Sequence, residues 1–225
     1  MESWFDKTMK KILDGMMKTM NSARPPRMTA LRELHDAENG NPFTILIGTI
    51  LSARTKDENT AKVVKKLFAE YKTAKDLASA KIRDIEKIIK SIGFYHVKAR
   101  RIIDVAKIIE SQYNGIVPDN LDQLIMLPGV GRKTANCVLV YAFEKPAIPV
   151  DIHVHRISNR LGIVETKTPE ETEFELMKKI PRKYWLKVND TFVMYGQNIC
   201  KPVSPMCDVC KIKKLCRYYK TRNAS

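Results

Sequence analysis

The sequence contains no apolar run long enough to cross a membrane. Its longest runs, such as Phe43 to Leu51, are far shorter than the roughly 20 residues that a spanning helix needs. We therefore expect a soluble protein.

The sequence is also poor in acidic residues relative to basic ones. It has 25 Asp and Glu against 40 Lys and Arg, which gives a formal net charge of +15. A field of that sign attracts polyanions, and nucleic acid is the partner that fits best. Charge alone leaves two alternatives open: a basic, soluble protein with no polyanionic partner, and a protein that binds an acidic membrane surface.

Strand patterns are missing too, and apolar residues recur instead at helical intervals. Capping chemistry marks three helix starts, at Asn41 before Pro42, at Thr55 three residues before Glu58, and at Thr168 before Pro169. The predicted helices cover residues 62–71, 82–91, 98–112, 121–127, 133–143, 154–161 and 170–180. Residues 147–150, between Pro146 and Asp151, are predicted to form an extended connection between domains. The expected fold class is all-α.

The N-terminal segment has a methionine-rich apolar stripe at helical spacing. It contains Trp4, Phe5, Met9, Ile12, Leu13, Met16, Met17 and Met20. Because the segment carries acidic residues and no arginine before Arg24, it does not resemble a transit peptide, and the stripe predicts core packing.

Cysteine is scarce until the C-terminal segment. There Cys200, Cys207, Cys210 and Cys216 are separated by six, two and five residues. Four thiolates this close in sequence predict one metal centre, either an iron–sulfur cluster or a structural zinc. A disulfide framework is the weaker alternative, because no secretory signal is seen and Cys137 lies alone in an apolar run. The lysine-rich tail is too irregular for a core, and a metal would organise it.

Residues 127–135, Leu-Pro-Gly-Val-Gly-Arg-Lys-Thr-Ala, predict a tight turn between two helices. Backbone amides at the start of the second helix, where the helix dipole is positive, can hold a phosphate without reading base sequence. The alternative is an ordinary helix–helix connection, in which glycine is also common.

Lys133 lies where the dipole of that second helix disfavours a cation, and Arg132 beside it adds to the repulsion. Repulsion favours a neutral amine, which a lysine nucleophile requires. A phosphate-contacting cation is the equal alternative from this segment alone.

Asp151 follows the extended residues and begins the run Asp-Ile-His-Val-His-Arg. It predicts a helix N-cap, and a carboxylate in that position can also stabilise a cationic intermediate or orient a nucleophile. A metal site with His153 and His155 is disfavoured, because a helix would direct the two histidines to different faces.

These segments together resemble the endonuclease III family of DNA glycosylases, in the helix-hairpin-helix superfamily. The resemblance rests on LPGVGRKTAN, on VDIHVHR beginning close after Lys133, on the cysteine spacing, and on LSARTKD and SIGFYHVKA. It implies two helical domains flanking a DNA cleft. Residues 35–145 would form a six-helix domain with the hairpin, and residues 1–34 with 146–225 would hold a [4Fe–4S] cluster, which favours iron–sulfur over zinc.

The resemblance implies a bifunctional glycosylase and AP lyase acting on damaged double-stranded DNA. An oxidised pyrimidine would be turned out of the duplex. Lys133 would displace the base by attacking C1′, Asp151 would support the cationic sugar, and the Schiff base would permit β-elimination. A monomer working in the prokaryotic cytoplasm, with the nucleoid, is implied as well.

The resemblance also assigns residues that contact DNA. Arg54, where relatives more often have Gln, and Phe94, where they often have Leu, would fill the gap left by the extruded nucleotide. Ile152 stands where Thr is usual. Backbone and charge contacts would come from Gly129, Val130, Gly131, Arg132 and Lys201, and possible pocket residues are Asp57 and His153.

Three other functions are weighed against this one. A non-catalytic DNA-binding module would not need Lys133 and Asp151 together, and monofunctional mismatch glycosylases generally lack a lysine at this hairpin position. An electron carrier built on the cluster would not need so long a basic chain.

Overall fold

The computed structural model describes residues 4–22, 28–37, 39–53, 55 and 57–222, and only the backbone of Trp4, Asp57 and Glu58. Arg54, a predicted wedge residue, lies outside these residues. The helices are α1 (Trp4–Ser22), α2 (Ala30–Ala37), α3 (Pro42–Ser52), α4 (Asp57–Glu70), α5 (Ala74–Ala78), α6 (Ile82–Ile89), α7 (Tyr95–Tyr113), α8 (Leu121–Ile125), α9 (Arg132–Phe143), α10 (Ile152–Leu161), α11 (Pro169–Lys179), α12 (Trp185–Asn198) and α13 (Arg217–Arg222).

Within those ranges there is no strand, so the all-α prediction is confirmed. Single 3₁₀ turns occur at Arg182–Tyr184 and Lys213–Leu215. No helix in the described part of the chain is long and apolar enough to span a bilayer.

The chain divides into two compact units. Residues 1–29 and 146–225 form one, called here the split unit, and residues 30–145 form the other, the continuous unit.

The core of the continuous unit is built around α3. Every residue from Phe43 to Leu51 is buried, and the helix packs against α2, α4, α7 and α9. A helix that is apolar on all sides is stable only inside a core. Asn41 begins it as predicted, since the Asn41 side chain accepts a hydrogen bond from the Thr44 amide at 3.0 Å and Pro42 occupies the first turn.

The split unit packs α1 against α12, and α10 against α11, α12 and α13. The predicted methionine stripe lies in this core, where Met9, Met16 and Met20 are buried, although Met17 is partly exposed. Asp6 anchors the start of α1, because its two carboxylate oxygens accept from Lys183 Nζ at 2.7 Å and Tyr184 OH at 2.6 Å.

Most predicted helices agree with the structure to within a few residues, but the short α2, α5 and α13 and the longer α12 were not predicted. Residues 188–196 of this helix are buried on all sides, and the buried polar residues Asn189, Asp190 and Thr191 interrupt the apolar spacing that marks an amphipathic helix. Asn189 nevertheless has a partner, since its amide donates to the Pro149 carbonyl at 2.8 Å.

Candidate functional site

The predicted hairpin connects α8 to α9 in the continuous unit. Gly129 has a φ of +75°, and a Cβ added there would lie 2.7 Å from Cδ of Arg101 on α7, so the position requires glycine. The Val130 side chain is buried, and its amide donates to the Leu127 carbonyl at 3.1 Å. The amides of Gly129 and Gly131 are therefore better candidates for phosphate than that of Val130.

The start of α9 is not capped by a side chain. Gly131 is the N-cap residue, and it makes no side-chain cap hydrogen bond. No acidic residue occupies the first turn, which contains Arg132 and Lys133, both partly buried. A Cβ added at Gly131 would meet no heavy atom within 4 Å. The turn thus combines an open approach, a helix start without a side-chain cap and two cations, which suits an anionic ligand.

Asp151 is the N-cap residue of α10 in the split unit, as predicted. Its Oδ1 accepts hydrogen bonds from the amides of His153 at 2.8 Å and Val154 at 2.9 Å. Among the described residues no hydrogen bond ends on Oδ2. The cap thus fixes the carboxylate while leaving an oxygen for a further partner.

The two histidines after Asp151 point toward different helices. His153 lies against Gly196 of α12, and its Nδ1 is 3.1 Å from Arg156 Nη2. His155 Nδ1 lies 2.6 Å from the Thr172 hydroxyl on α11. These contacts give both rings structural roles in the split unit. Ile152, which lies between Asp151 and His153, is mostly exposed.

The four C-terminal cysteines line one cavity of the split unit, together with residues of α10, α12 and α13. Three of them, Cys200, Cys210 and Cys216, also pack against the apolar core. Two of the sulfurs accept hydrogen bonds, Cys210 from Tyr195 OH at 2.9 Å and Cys200 from Arg160 Nη1 at 3.4 Å. Donors of this kind stabilise thiolate ligands.

No three His, Cys, Asp or Glu side chains in the described ranges are grouped closely enough to hold a single metal ion. The shared cavity and this result agree if the sulfurs are spread around a larger group. A single zinc with bonds of about 2.3 Å would draw four sulfurs to within roughly 4 Å of one another. Each of four thiolates on a [4Fe–4S] cluster instead binds a different iron, so the sulfurs lie farther apart.

Phe94, a predicted wedge, is the N-cap residue of α7 and has a left-handed backbone with a φ of +58°. Its side chain is 62% exposed, which excludes the alternative of a core aromatic. An exposed aromatic held in a conformation that costs a non-glycine residue about 1 kcal/mol favours a functional role.

The sequence interpretation missed Lys98, which is buried in α7. Its Nζ donates to the carbonyls of Leu51 at 2.8 Å and Ala53 at 2.6 Å and to the Thr55 hydroxyl at 2.8 Å. Burial, and secondarily the charge of Arg101, lowers the pKa of Lys98 to about 8. The signal was its spacing, since Lys98 continues the buried stripe of Ile102, Val105 and Ile109.

The remaining predicted contacts are distributed over both units. Lys201 is exposed, and its carbonyl accepts from Arg160 Nη1 at 2.7 Å. Asp57 is the first residue of α4, and its side chain is outside the description. Lys133 belongs to the continuous unit and Asp151 to the split unit, so their pairing stays a prediction.

Comparison with known proteins identifies the family. Residues 47–182 match the HhH-GPD superfamily of base excision DNA repair proteins. Endonuclease III of Thermotoga maritima is 52% identical over 182 residues, which make up 81% of this chain and 85% of that protein.

Two solved structures are similar along nearly the whole chain. A trapped covalent endonuclease III–DNA intermediate, an estranged-adenine complex, has a TM-score of 0.81 and 38% identity, covering 96% of this chain and 98% of that one. A non-covalent endonuclease III–DNA complex has a TM-score of 0.83 and 39% identity, covering 97% and 98%. Endonuclease III is a DNA N-glycosylase with AP lyase activity. The chain therefore belongs to the endonuclease III family, within the HhH-GPD superfamily.

Proposed function

We propose that this enzyme removes oxidised pyrimidines from double-stranded DNA and cleaves the abasic strand through a Schiff base on Lys133. The observation that carries this proposal is the position of Lys133 in the uncapped first turn of α9, directly after the glycine hairpin. A relative 38% identical to this chain has been trapped as a covalent DNA intermediate, which supports a covalent mechanism.

In the proposed reaction, the neutral Lys133 amine attacks C1′ of the extruded nucleotide. The N–C1′ bond forms while the glycosidic bond breaks, and the base leaves with a proton. Opening of the sugar ring at its ring oxygen gives the Schiff base. Loss of a proton from C2′ then expels the 3′ phosphate, and water releases the lysine.

Asp151 would support the positive charge that develops on the sugar. Two backbone amides fix its Oδ1, so the carboxylate is oriented before the substrate arrives, and its charge costs no reorganisation during the reaction. His153 is a weaker pocket candidate, because its ring already contacts Arg156 and α12. Asp57 is proposed only from the sequence.

The DNA would be held by backbone contacts and separated by side-chain wedges. The Gly129 to Gly131 turn and Arg132 would bind phosphates, with Lys201 contributing from the split unit. Exposed Phe94 would stack in the gap left by the extruded nucleotide, and Arg54 would hydrogen-bond the orphan base.

We propose that Cys200, Cys207, Cys210 and Cys216 hold a [4Fe–4S] cluster. The shared cavity brings the four cysteines together, and the hydrogen bonds to two of the sulfurs suit thiolate ligands of such a group. When bound, the cluster would organise the basic segment from residue 200 to residue 216. We place the enzyme, as a monomer, with the nucleoid in a prokaryotic cytoplasm, where such DNA is found.

Borohydride trapping on a duplex with one thymine glycol tests the catalytic proposal. The wild type should form a covalent adduct, and Lys133→Gln should form none while binding the duplex nearly as well. Lys145→Gln is the matched control, since Lys145 lies in the same unit and its Nζ donates to the carbonyl and the carboxylate of Asp119. Undiminished trapping by Lys133→Gln would exclude Lys133 as the nucleophile.

A further inference from the structure

Lys98 connects two segments of the continuous unit that are far apart in sequence. From α7 its ammonium reaches the end of α3 and the residues that follow, where it contacts the carbonyls of Leu51 and Ala53 and the hydroxyl of Thr55. The side chain is only 4% exposed. Three donors of a buried ammonium therefore meet three oxygen acceptors.

The contact solves a problem at the end of α3. The last carbonyls of a helix need partners, and many helices obtain them by turning at a glycine. No glycine lies between Ser52 and the start of α4. Instead, the Thr49 carbonyl accepts from the Ser52 hydroxyl, and the Ser52 carbonyl accepts from the Thr55 amide. The Leu51 carbonyl accepts from the Lys98 ammonium. Ala53 then leaves the helix with φ −54° and ψ 120°, and Lys98 holds its carbonyl as well.

The same lysine lies one helical turn after Phe94. The Lys98 amide donates to the Phe94 carbonyl at 3.0 Å in the first turn of α7. The lysine thus fixes Ala53 and Thr55, which flank Arg54 in the sequence, and belongs to the helix turn that begins at Phe94. Both residues assigned to wedge the duplex adjoin contacts of one side chain.

We propose that Lys98 is a positioning residue for nucleotide extrusion, holding Ala53, Thr55 and the first turn of α7 in a fixed relation. This proposal rests on the proposed function, since it takes Arg54 and Phe94 as the wedges. Two wedges can enter one gap together only if their supports do not move independently. The buried ammonium of Lys98 couples the two supports, because moving one away from the other would break a hydrogen bond and leave a buried polar group without a partner.

A purely structural cap for α3 is the competing explanation, and the two make different predictions. A cap would affect every reaction of the enzyme through stability. A positioning residue affects only the reactions that require a nucleotide to be turned out of a duplex. An abasic site in single-stranded DNA needs no extrusion, yet it still requires the lysine nucleophile.

The test uses Lys98→Met, which keeps the length of the side chain and removes its charge and donors. Extrusion is followed by the fluorescence of 2-aminopurine placed beside a thymine glycol in a duplex, in a Lys133→Gln background that stops the chemistry. We expect the fluorescence rise to slow by at least about tenfold, since the loss of even one of the three hydrogen bonds to a charged group has about that effect. Borohydride trapping on a single-stranded abasic oligonucleotide, with Lys133 intact, should stay within about twofold of the wild type.

Ile109→Val is the matched control, because it removes one buried methylene from the far end of the same helix without touching the contacts of Lys98. It should leave both readouts unchanged. Equal extrusion rates with and without Lys98→Met in the Lys133→Gln background would overturn the proposal. Parallel losses of extrusion and single-stranded trapping would overturn it too. Failure of the wild type to trap on abasic DNA would instead overturn the proposed function.

Discussion

Lys98 and Lys133 show how the surroundings of a lysine determine what it can do. Burial lowers the pKa of Lys98 to about 8, which on its own would suit a nucleophile. The geometry of Lys98 does not suit a nucleophile, because its Nζ donates hydrogen bonds to three oxygens and the residue is buried. Lys133 is partly buried at an open helix start, and this position is what supports the proposal that it is the nucleophile.

The lowered pKa of Lys98 predicts how stability changes with pH. Because the unfolded lysine titrates near its ordinary value of 10.5, the folded state is penalised for carrying the charge below about pH 8. The penalty fades as the pH rises toward 10.5, so stability should increase across that window. Relative to Lys98→Met, the wild type should gain up to about 1.5 kcal/mol in free energy of unfolding between about pH 8 and 9.5.

Urea unfolding of both proteins at the two pH values measures that difference. Other groups titrating in this range are common to both and cancel. A difference between the proteins that does not change with pH would show that Lys98 keeps the same pKa folded and unfolded.

Arg54 is predicted to control the dependence of excision on the opposite base. A guanidinium offers several donors in a fixed fork, and guanine presents two acceptors on one edge, so an orphan guanine should be preferred to adenine. A bidentate contact contributes on the order of 1–3 kcal/mol, enough for a several-fold effect. Arg54→Gln should flatten the preference in single-turnover excision of one lesion opposite each of the four bases. Equal base dependence in both proteins would make Arg54 a surface cation.

At the scale of elements, the sequence predicted what depends on short-range patterns. Asn41, Asp151 and Thr168 cap α3, α10 and α11 as their chemistry indicated. It could not predict what depends on distant contacts. The end of α3 is fixed by Lys98, 47 residues from Leu51, and no local signal marks that bond. The buried polar residues of α12 find partners only after folding, as Asn189 does at Pro149.

The hairpin glycines should differ sharply when each is replaced by Ala. Gly129→Ala places a Cβ at positive φ and 2.7 Å from Arg101, so it should cost at least about 1 kcal/mol of stability. Gly131→Ala meets open space with an ordinary φ of −88°, so stability should hold. Its effect should appear instead as weaker DNA binding, because the methyl group enters the approach to the helix amides. Thermal unfolding and duplex affinity of both variants measure this, and equal destabilisation would contradict it.

The cysteine segment should depend on iron. Replacing any one of Cys200, Cys207, Cys210 or Cys216 with Ala should lower iron and sulfide content and destabilise the split unit, because the segment loses its organising centre. Cys137→Ala is the control, since that cysteine is buried in α9 of the other unit. The wild type should absorb broadly at the blue end of the visible spectrum. Purified protein with one zinc and no iron would contradict the cluster but not the site.

For the whole molecule, the formal charge of +15 is the dominant property. Such a charge attracts any polyanion over a Debye length, so it cannot by itself show where DNA lies. Location has to be separated from total charge. The chain permits this, because exposed lysines occur both in the cysteine segment and on the outer face of α4.

Duplex affinity should fall steeply with salt, and the slope should report which lysines contact phosphates. In the split unit the candidates are Lys201, Lys211, Lys213 and Lys214, although Lys213 is partly engaged by the Asp208 carbonyl at 3.2 Å. Replacing all four with Gln should reduce the slope of log affinity against log salt by up to about 3 to 4, because each lost phosphate contact contributes about 0.9. Binding to undamaged duplex over a range of salt concentrations measures the slope.

The control variant also replaces four lysines with Gln and so has the same net charge as the first variant. Its replacements are in the continuous unit, at the exposed Lys62, Lys65, Lys66 and Lys72. If long-range attraction alone governed binding, the two variants would shift affinity alike. Direct contact predicts that only the first variant changes the slope, since counterions are released where a lysine meets a phosphate. Slopes that match in the two variants would place the cysteine segment away from the DNA, and the cluster would then stabilise the split unit without shaping a binding surface.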